Sequence, residues 1–255
     1  MSPFSQVPGE APDVVPPEGA AIRRGVVALG DSITVGAGEP LMGVAMQSWA
    51  SWVAEAFDVP VHKLARDGAL AGEILRDLAP RMRGRYDVAL VYAGVNDVRG
   101  DPWDADDYRL TMDALVGAAT THADRVVVAT LPDDLGRPSC APKPSRASAV
   151  VREVAAVHGA LVLNLEDLGG RRLVLPDVVH PTAPGQVEMA ARAVELLEAD
   201  GLLGPDGAAP ANPWLLADPY LSIRARLAAE RRWARGFGRD VRRRAVEAAA
   251  RRVGR

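Results

Sequence analysis

The feature that most constrains this chain is a short apolar run, residues 26–29, that ends in Gly30-Asp31-Ser32. An apolar run of this length before a glycine is typical of a buried strand in a parallel sheet. Ligands of such sheets bind beyond the carboxyl ends of the strands. The pattern therefore predicts that the Ser32 hydroxyl lies where chemistry takes place. A serine after Gly-Asp is, however, equally typical of a loop or a helix cap.

The rest of the chain alternates apolar runs with helical patterns. This alternation predicts a parallel sheet with helices on both faces. We expect an α/β protein with a three-layer α/β/α arrangement, similar to flavodoxin-like sheets, with about five strands. The predicted strands are 26–29, 61–64, 88–93, 126–130 and 161–165, and the predicted helices are 47–57, 71–78, 108–119, 147–158 and 184–198.

Three further segments carry polar groups suited to catalysis. Asp177 and His180 share one loop, in which the carboxylate can fix the imidazole tautomer while the second ring nitrogen faces a nucleophile. Asn96 follows the strand-terminal Gly94 by two residues. Gly68 lies just beyond another predicted strand, so its backbone N–H and the Asn96 amide would donate to a developing oxyanion. Each segment taken alone is also explained as a cap or a loop end.

Together these segments resemble the GDSL type of the SGNH hydrolase superfamily of serine esterases and lipases. The resemblance implies that Ser32 is the nucleophile, His180 its base and Asp177 the residue that orients His180. It also implies an oxyanion hole made by the backbone N–H groups of Ser32 and Gly68 and by the Asn96 side chain. Many family members have Asn a few residues before that glycine, where this chain has Ala65-Arg66-Asp67. Four family blocks occur in family order within residues 26–190: Gly30-Asp31-Ser32, Gly68, Gly94-Val95-Asn96-Asp97 and Asp177-Val178-Val179-His180.

Other classes of site find little support in the sequence. The single cysteine, Cys140, excludes an intrachain disulfide and a thiolate zinc cluster. The chain has neither a Gly-x-Ser-x-Gly elbow nor a phosphate-binding Gly-x-x-x-x-Gly-Lys-Ser/Thr loop. His62, His122 and His158 are interpreted as structural residues. Because acyl transfer by an activated serine needs no cofactor, we expect neither a cofactor nor a metal.

The expected function is hydrolysis of a carboxylic ester through an acyl-enzyme on Ser32. The partner is then a small-molecule ester, and its acyl group can be short, a lipid or part of an acylated sugar. One alternative is an acyltransferase that uses the same Ser32, His180 and Asp177 and passes the acyl group to an alcohol. A second alternative is a noncatalytic binding or tethering protein that acts through a basic C-terminal helix. No nucleic-acid partner is expected.

Charge is distributed unevenly along the chain. Residues 220–255 contain 12 arginines and 3 acidic residues, about +9, and since the net charge is −3 the remainder carries about −12. We predict an N-terminal arm at 1–24, a hydrolase domain at 25–204, and a linker with an arginine-rich helical extension at 205–255. That extension is either a solvated helix docked on the acidic body or a weak contact for an anionic membrane surface. A cytoplasmic location is expected, and the oligomeric state is not predicted.

Overall fold

Five parallel strands form the centre of the molecule. The computed structural model describes residues 24–217 and eight single positions between residues 227 and 246. The order across the sheet is β2-β1-β3-β4-β5, which confirms the predicted parallel sheet with its short apolar strands. The strands are β1 (Val26–Gly30), β2 (Val61–Ala65), β3 (Tyr86–Tyr92), β4 (Ala123–Ala129) and β5 (Leu161–Leu163).

Helices cover both faces of the sheet, as the sequence predicts. The helices are α1 (Ser32–Val35), α2 (Trp49–Ala56), α3 (Ala71–Glu73), α4 (Val95–Arg99), α5 (Ala105–His122), α6 (Lys143–His158), α7 (Ala183–Ala199) and α8 (Pro213–Leu216). Helices α2 and α7 pack together, and α5 and α6 form a second packed pair. Helix α3 continues as a π-helical turn at Ile74–Leu78 and a 3₁₀ turn at Ala79–Arg81. The result is the α/β/α layering expected from the alternating pattern.

The sheet brings the ends of β1 and β3 to the same edge. Gly30 at the end of β1 pairs with Tyr92 at the end of β3 and with Ala65 of β2. A side chain at position 30 would not fit, since a Cβ there would lie 2.2 Å from Thr34 Oγ1 and 2.9 Å from the Tyr92 carbonyl oxygen. Glycine therefore lets β1 turn directly into α1, and that turn presents Ser32 at this edge.

Strand β4 differs most from its predicted bounds. The sequence places it at 126–130, but it begins at Ala123, because Ala123 pairs with Tyr86 of β3. Asp124 and Arg125 are polar and are therefore not predicted as part of a strand. They lie at the end of the sheet, where Asp124 pairs with Arg24 and Arg125 pairs with Asp200.

Several expectations concern the two ends of the chain. The predicted N-terminal arm, apart from Arg24, and the arginine-rich extension, apart from the eight single positions, lie outside the described residues. Residues 205–217 are described, and there the backbone N–H of Ala211 donates to the carbonyl of Ala56 in α2. In the part of the chain that the structure describes, no helix has the length and apolar character needed to cross a lipid bilayer.

Candidate active site

Ser32, His180 and Asp177 form one hydrogen-bonded chain at the carboxyl edge of the sheet. Ser32 Oγ lies 3.1 Å from His180 Nε2, and His180 Nδ1 lies 2.7 Å from Asp177 Oδ2. Because a carboxylate only accepts hydrogen bonds, Nδ1 carries the proton and Nε2 of the neutral ring is left to accept from the serine. The arrangement can therefore move a proton from the Ser32 hydroxyl to the imidazole.

Helix α1 fixes the position of the serine. Its N-cap is Asp31, whose Oδ1 accepts the backbone N–H of Ile33 at 2.9 Å. Its C-cap is Gly36 in the left-handed region, with φ 109°. The four-residue helix is thus closed at both ends, so Ser32 stands on a rigid turn between a buried strand and a glycine cap.

The loop before α7 holds Asp177 and His180 together. Asp177 Oδ1 accepts the backbone N–H groups of Val179 and His180 at 3.0 and 3.1 Å. Burial works to raise the pKa of the Asp177 carboxyl, but these bonds and the His180 side chain outweigh it and lower the pKa to about 2. Asp177 is therefore ionised throughout the neutral range and accepts the Nδ1 proton of His180.

Val178 adopts an unusual backbone conformation within this loop. Its φ is 55°, in the left-handed region that a β-branched residue rarely occupies. Two backbone hydrogen bonds hold it there: its N–H donates to Leu175, and its carbonyl accepts the N–H of Gly136 at 2.8 Å. The loop that carries His180 is consequently pinned from a second side by the 131–142 segment.

The three predicted oxyanion donors lie on neighbouring segments at the same sheet edge. Asn96 Nδ2 donates to the carbonyl of Ala69 at 3.1 Å, next to Gly68, which leaves its second amide hydrogen available. Gly68 is exposed and has φ 73°, on the turn after β2. Within residues 24–217 no hydrogen bond uses the backbone N–H of Ser32 or Gly68, so both groups are free to donate.

Asp97 ties the turn that carries Gly68 to the start of α4. Both of its carboxylate oxygens lie within 3.2 Å of the backbone N of Ala71, which donates to them. Burial raises the pKa of this carboxyl, and the bond from Ala71 opposes that rise. Asn96 and Asp97 together therefore set the distance between the Gly68 turn and α4.

Asp31 has a chemical character that its place in the motif does not reveal. Its side chain is fully buried, and Oδ2 has no hydrogen-bond partner among the described residues. Burial raises its pKa to about 7, against the lowering effects of the Ile33 N–H and of His180. Sequence analysis gives Asp31 no separate role, because burial of a carboxyl cannot be derived from the motif alone.

We expect the Asp31→Asn variant to be more stable than the parent at neutral pH. Between about pH 4 and about pH 7 the folded parent keeps a proton that the unfolded chain has lost. Its free energy of unfolding therefore falls as pH rises, by up to ~1.4 kcal/mol per pH unit. Asparagine cannot ionise but still accepts the Ile33 N–H.

Urea unfolding of both proteins across this pH range measures the effect. The difference in free energy of unfolding should grow from pH 4 to pH 7 and then level off. Two curves with the same slope would contradict a buried, protonated Asp31.

The other histidines lie in unrelated surroundings. His62 Nδ1 contacts the Tyr86 hydroxyl at 2.7 Å, and His122 Nδ1 contacts the carbonyl of Gly84 at 2.9 Å. His158 Nε2 pairs with Asp113 at 2.8 Å between α6 and α5. Each of the three therefore joins two segments of the fold. Across the described part of the chain, no group of three or more His, Cys, Asp or Glu side chains is arranged to hold a metal ion.

Comparison with protein families gives one match over most of the folded region. The model of the GDSL-like lipase/acylhydrolase family matches residues 28–187, which include Ser32, Gly68, Asn96, Asp177 and His180. None of the curated proteins compared with the sequence matches it significantly.

The structure is also similar to several solved structures. A lipase/acylhydrolase from Enterococcus faecalis is 20% identical, with a TM-score of 0.56, and the match covers 73% of this chain and 100% of that one. An acetyl xylan esterase variant from Geobacillus stearothermophilus is 18% identical, with a TM-score of 0.53 and coverage of 69% and 96%. A carbohydrate acetylesterase from Sinorhizobium meliloti is 15% identical, with a TM-score of 0.55 and coverage of 71% and 100%. At these identities the similarity shows a shared fold.

Proposed function

Since this chain belongs to the GDSL-like lipase/acylhydrolase family, we propose that it hydrolyses carboxylic esters through a covalent acyl-enzyme on Ser32. The observation that carries the proposal is the hydrogen-bonded chain from Ser32 Oγ through His180 to Asp177, with links of 3.1 and 2.7 Å. Family membership favours an enzyme over a noncatalytic tether. Contact of the arginine-rich extension with anionic membranes and a cytoplasmic location stay predictions from the sequence.

The reaction proceeds in two steps, acylation of Ser32 and hydrolysis of the acyl-enzyme. As Ser32 Oγ bonds to the ester carbonyl carbon, its proton passes to His180 Nε2, and the carbonyl oxygen becomes an oxyanion. The Ser32 and Gly68 N–H groups and the Asn96 amide stabilise that oxyanion. The bond to the alcohol oxygen then breaks, and His180 returns the proton to the departing alcohol. In the second step water attacks the acyl-enzyme by the same proton path and releases the acid.

Two loops that border the His180 loop supply the surroundings of the substrate. The 38–47 loop contacts the end of the His180 loop and the first residue of α7. Gly38 lies against the carbonyl of Pro181, and the carbonyl of Glu39 accepts the N–H of Ala183. The 131–142 loop contacts the His180 loop through the N–H of Gly136, which donates to the carbonyl of Val178. Both loops therefore lie beside the reacting groups.

The side chains of these loops favour an uncharged ester. In the 131–142 loop Arg137 is paired with Asp134, and at the start of α6 Lys143 is paired with Asp101 and the Gly100 carbonyl. Both cations are therefore already neutralised. On the other loop Met42 and Met46 are half-buried apolar side chains. We extend the proposal to neutral acyl esters, with acetylated sugars as one class, because two structures of similar fold are named as an acetyl xylan esterase and a carbohydrate acetylesterase.

A substrate panel tests this proposal. Nitrophenyl esters of increasing acyl length should be hydrolysed, and esters with a carboxylate in the acyl chain should have a lower kcat/KM than neutral esters of the same length. Acetylated sugars come next in the panel. Added alcohol acceptors distinguish hydrolysis from the acyltransferase alternative by the product formed. Absence of turnover on every ester, with the protein folded, contradicts the proposal.

A further inference from the structure

Gln186 is a fully buried polar side chain on the inner face of α7. Its Oε1 accepts the backbone N–H of Trp49, the first residue of α2, at 2.8 Å. Its Nε2 donates to the carbonyl oxygens of Ile33 at 3.0 Å and Ala37 at 3.4 Å, at the two ends of the turn that follows Ser32. One amide therefore joins three segments of the chain.

The groups that Gln186 binds have no partner in their own helices. Helix α1 is only four residues long, and the N–H of Ala37 reaches back to the Ser32 carbonyl rather than to Ile33. The Trp49 N–H begins α2, where no carbonyl of the preceding turn is available. Without an internal partner, buried backbone groups destabilise a fold. Gln186 supplies the missing partners of the Trp49 N–H and the Ile33 carbonyl.

Its position couples these segments to the reacting histidine. Gln186 lies six residues after His180, just inside the helix that begins beyond the His180 loop. Ser32 and His180 are 148 residues apart in sequence, so their 3.1 Å contact depends on how α7 sits against α1. Within residues 24–217 no other α7 side chain hydrogen-bonds to α1 or α2.

We propose that Gln186 is a positioning residue that sets the distance between Ser32 Oγ and His180 Nε2 by holding α7 to α1 and to the start of α2. The inference rests on the proposed serine esterase function. It deepens that function by adding a residue outside the motif blocks. A displacement of about 1 Å between reacting groups costs on the order of 100-fold in rate, so loss of this link should affect chemistry more than substrate binding.

The test replaces Gln186 with methionine, which has a similar length but cannot form the three bonds. We expect kcat for a short nitrophenyl ester and the rate of Ser32 labelling by a fluorophosphonate probe to fall by about 10- to 100-fold. KM should change by only a few-fold.

Thr130→Val is the matched control. Thr130 is also fully buried, and its Oγ1 accepts the N–H of Leu165 at 2.8 Å between β4 and β5. The bonds that its side chain forms go to Leu163, Asn164 and Leu165, none of which belongs to α1, α2 or α7. This variant also loses buried hydrogen bonds, so it should be less stable than the parent but keep its labelling rate. Urea unfolding places the two variants on one stability scale.

The outcomes separate this inference from the proposed function. Failure of the parent to label at Ser32 refutes the esterase proposal itself. A labelled parent with equal rates in folded Gln186→Met, or an equal loss in Thr130→Val at matched stability, overturns the role of Gln186. If Gln186→Met does not fold, the same measurements are made on Gln186→Glu. That variant keeps an oxygen that accepts the Trp49 N–H but has no amide donor for the Ile33 and Ala37 carbonyls. If neither variant folds, Gln186 is required for folding and the positioning role is overturned.

Discussion

Replacing Ser32 with alanine is expected to lower kcat for ester hydrolysis by roughly 10⁴- to 10⁶-fold, because the variant has no nucleophile to receive the acyl group. The fold should survive. The hydrogen bond of Ser32 Oγ goes to His180, and Asp31 still caps α1 through the N–H of Ile33. Turnover of a short nitrophenyl ester measures the loss, and circular dichroism checks the fold.

Chemical labelling gives this prediction a second readout. A fluorophosphonate should attach to Ser32 of the parent. No serine of the Ser32→Ala variant should be labelled. Ser145→Ala is a suitable control, because Ser145 is exposed and its hydroxyl donates only to the carbonyl of Pro142. That control should keep full activity. A labelled residue other than Ser32 would contradict the assignment of the nucleophile.

The Asp177→Asn variant is expected to lose on the order of 10³- to 10⁴-fold in kcat. In the parent, Asp177 Oδ2 accepts the Nδ1 proton of His180 at 2.7 Å. The asparagine amide would instead donate to Nδ1, so the ring proton would move to Nε2. A protonated Nε2 cannot accept the proton of Ser32, and the nucleophile would not be activated.

The remaining contacts of Asp177 make this variant informative. Its Oδ1 accepts the N–H groups of Val179 and His180, and the carbonyl oxygen of asparagine can keep both bonds. The loop should therefore retain its shape while the tautomer changes. Asp167→Asn, an exposed carboxylate paired with Arg192, is the control and should keep its kcat. A kcat within a few-fold of the parent would show that Asp177 serves the loop alone.

The parallel sheet could be predicted from the local sequence pattern, but the order of its strands and the winding of the helix after β2 could not. Val26 to Leu29 are buried on both faces, so the strand appears as an uninterrupted apolar run in the sequence. The order β2-β1-β3-β4-β5 depends on which face each connecting helix covers, and no local pattern specifies that. The helix predicted at 71–78 is an α-helical turn followed by a π-helical one, a change of winding that the local sequence pattern does not indicate.

The candidate site shows the same division between local and distant information. Ser32, Asn96, Asp177 and His180 could be nominated because each stands at a strand end or in a short loop with a recognisable neighbour. Gln186 was missed. Its signal was a single polar residue in the apolar stripe of α7, and nothing nearby indicates that its partners lie 137 to 153 residues away. Such a role becomes evident only when the backbone ends of α1 and α2 are located.

The separation of Ser32 from His180 has a consequence for the synthesis of the protein. Ser32 follows the first strand and His180 follows the last, 148 residues later. A chain is synthesised from its N-terminus, and a domain generally folds as a unit. A nascent chain that extends only to β5 carries the hydroxyl without its base, so we expect it to be inert toward cellular esters. We expect hydrolysis to begin only when α7 packs against the sheet, so the appearance of activity during synthesis would mark that step.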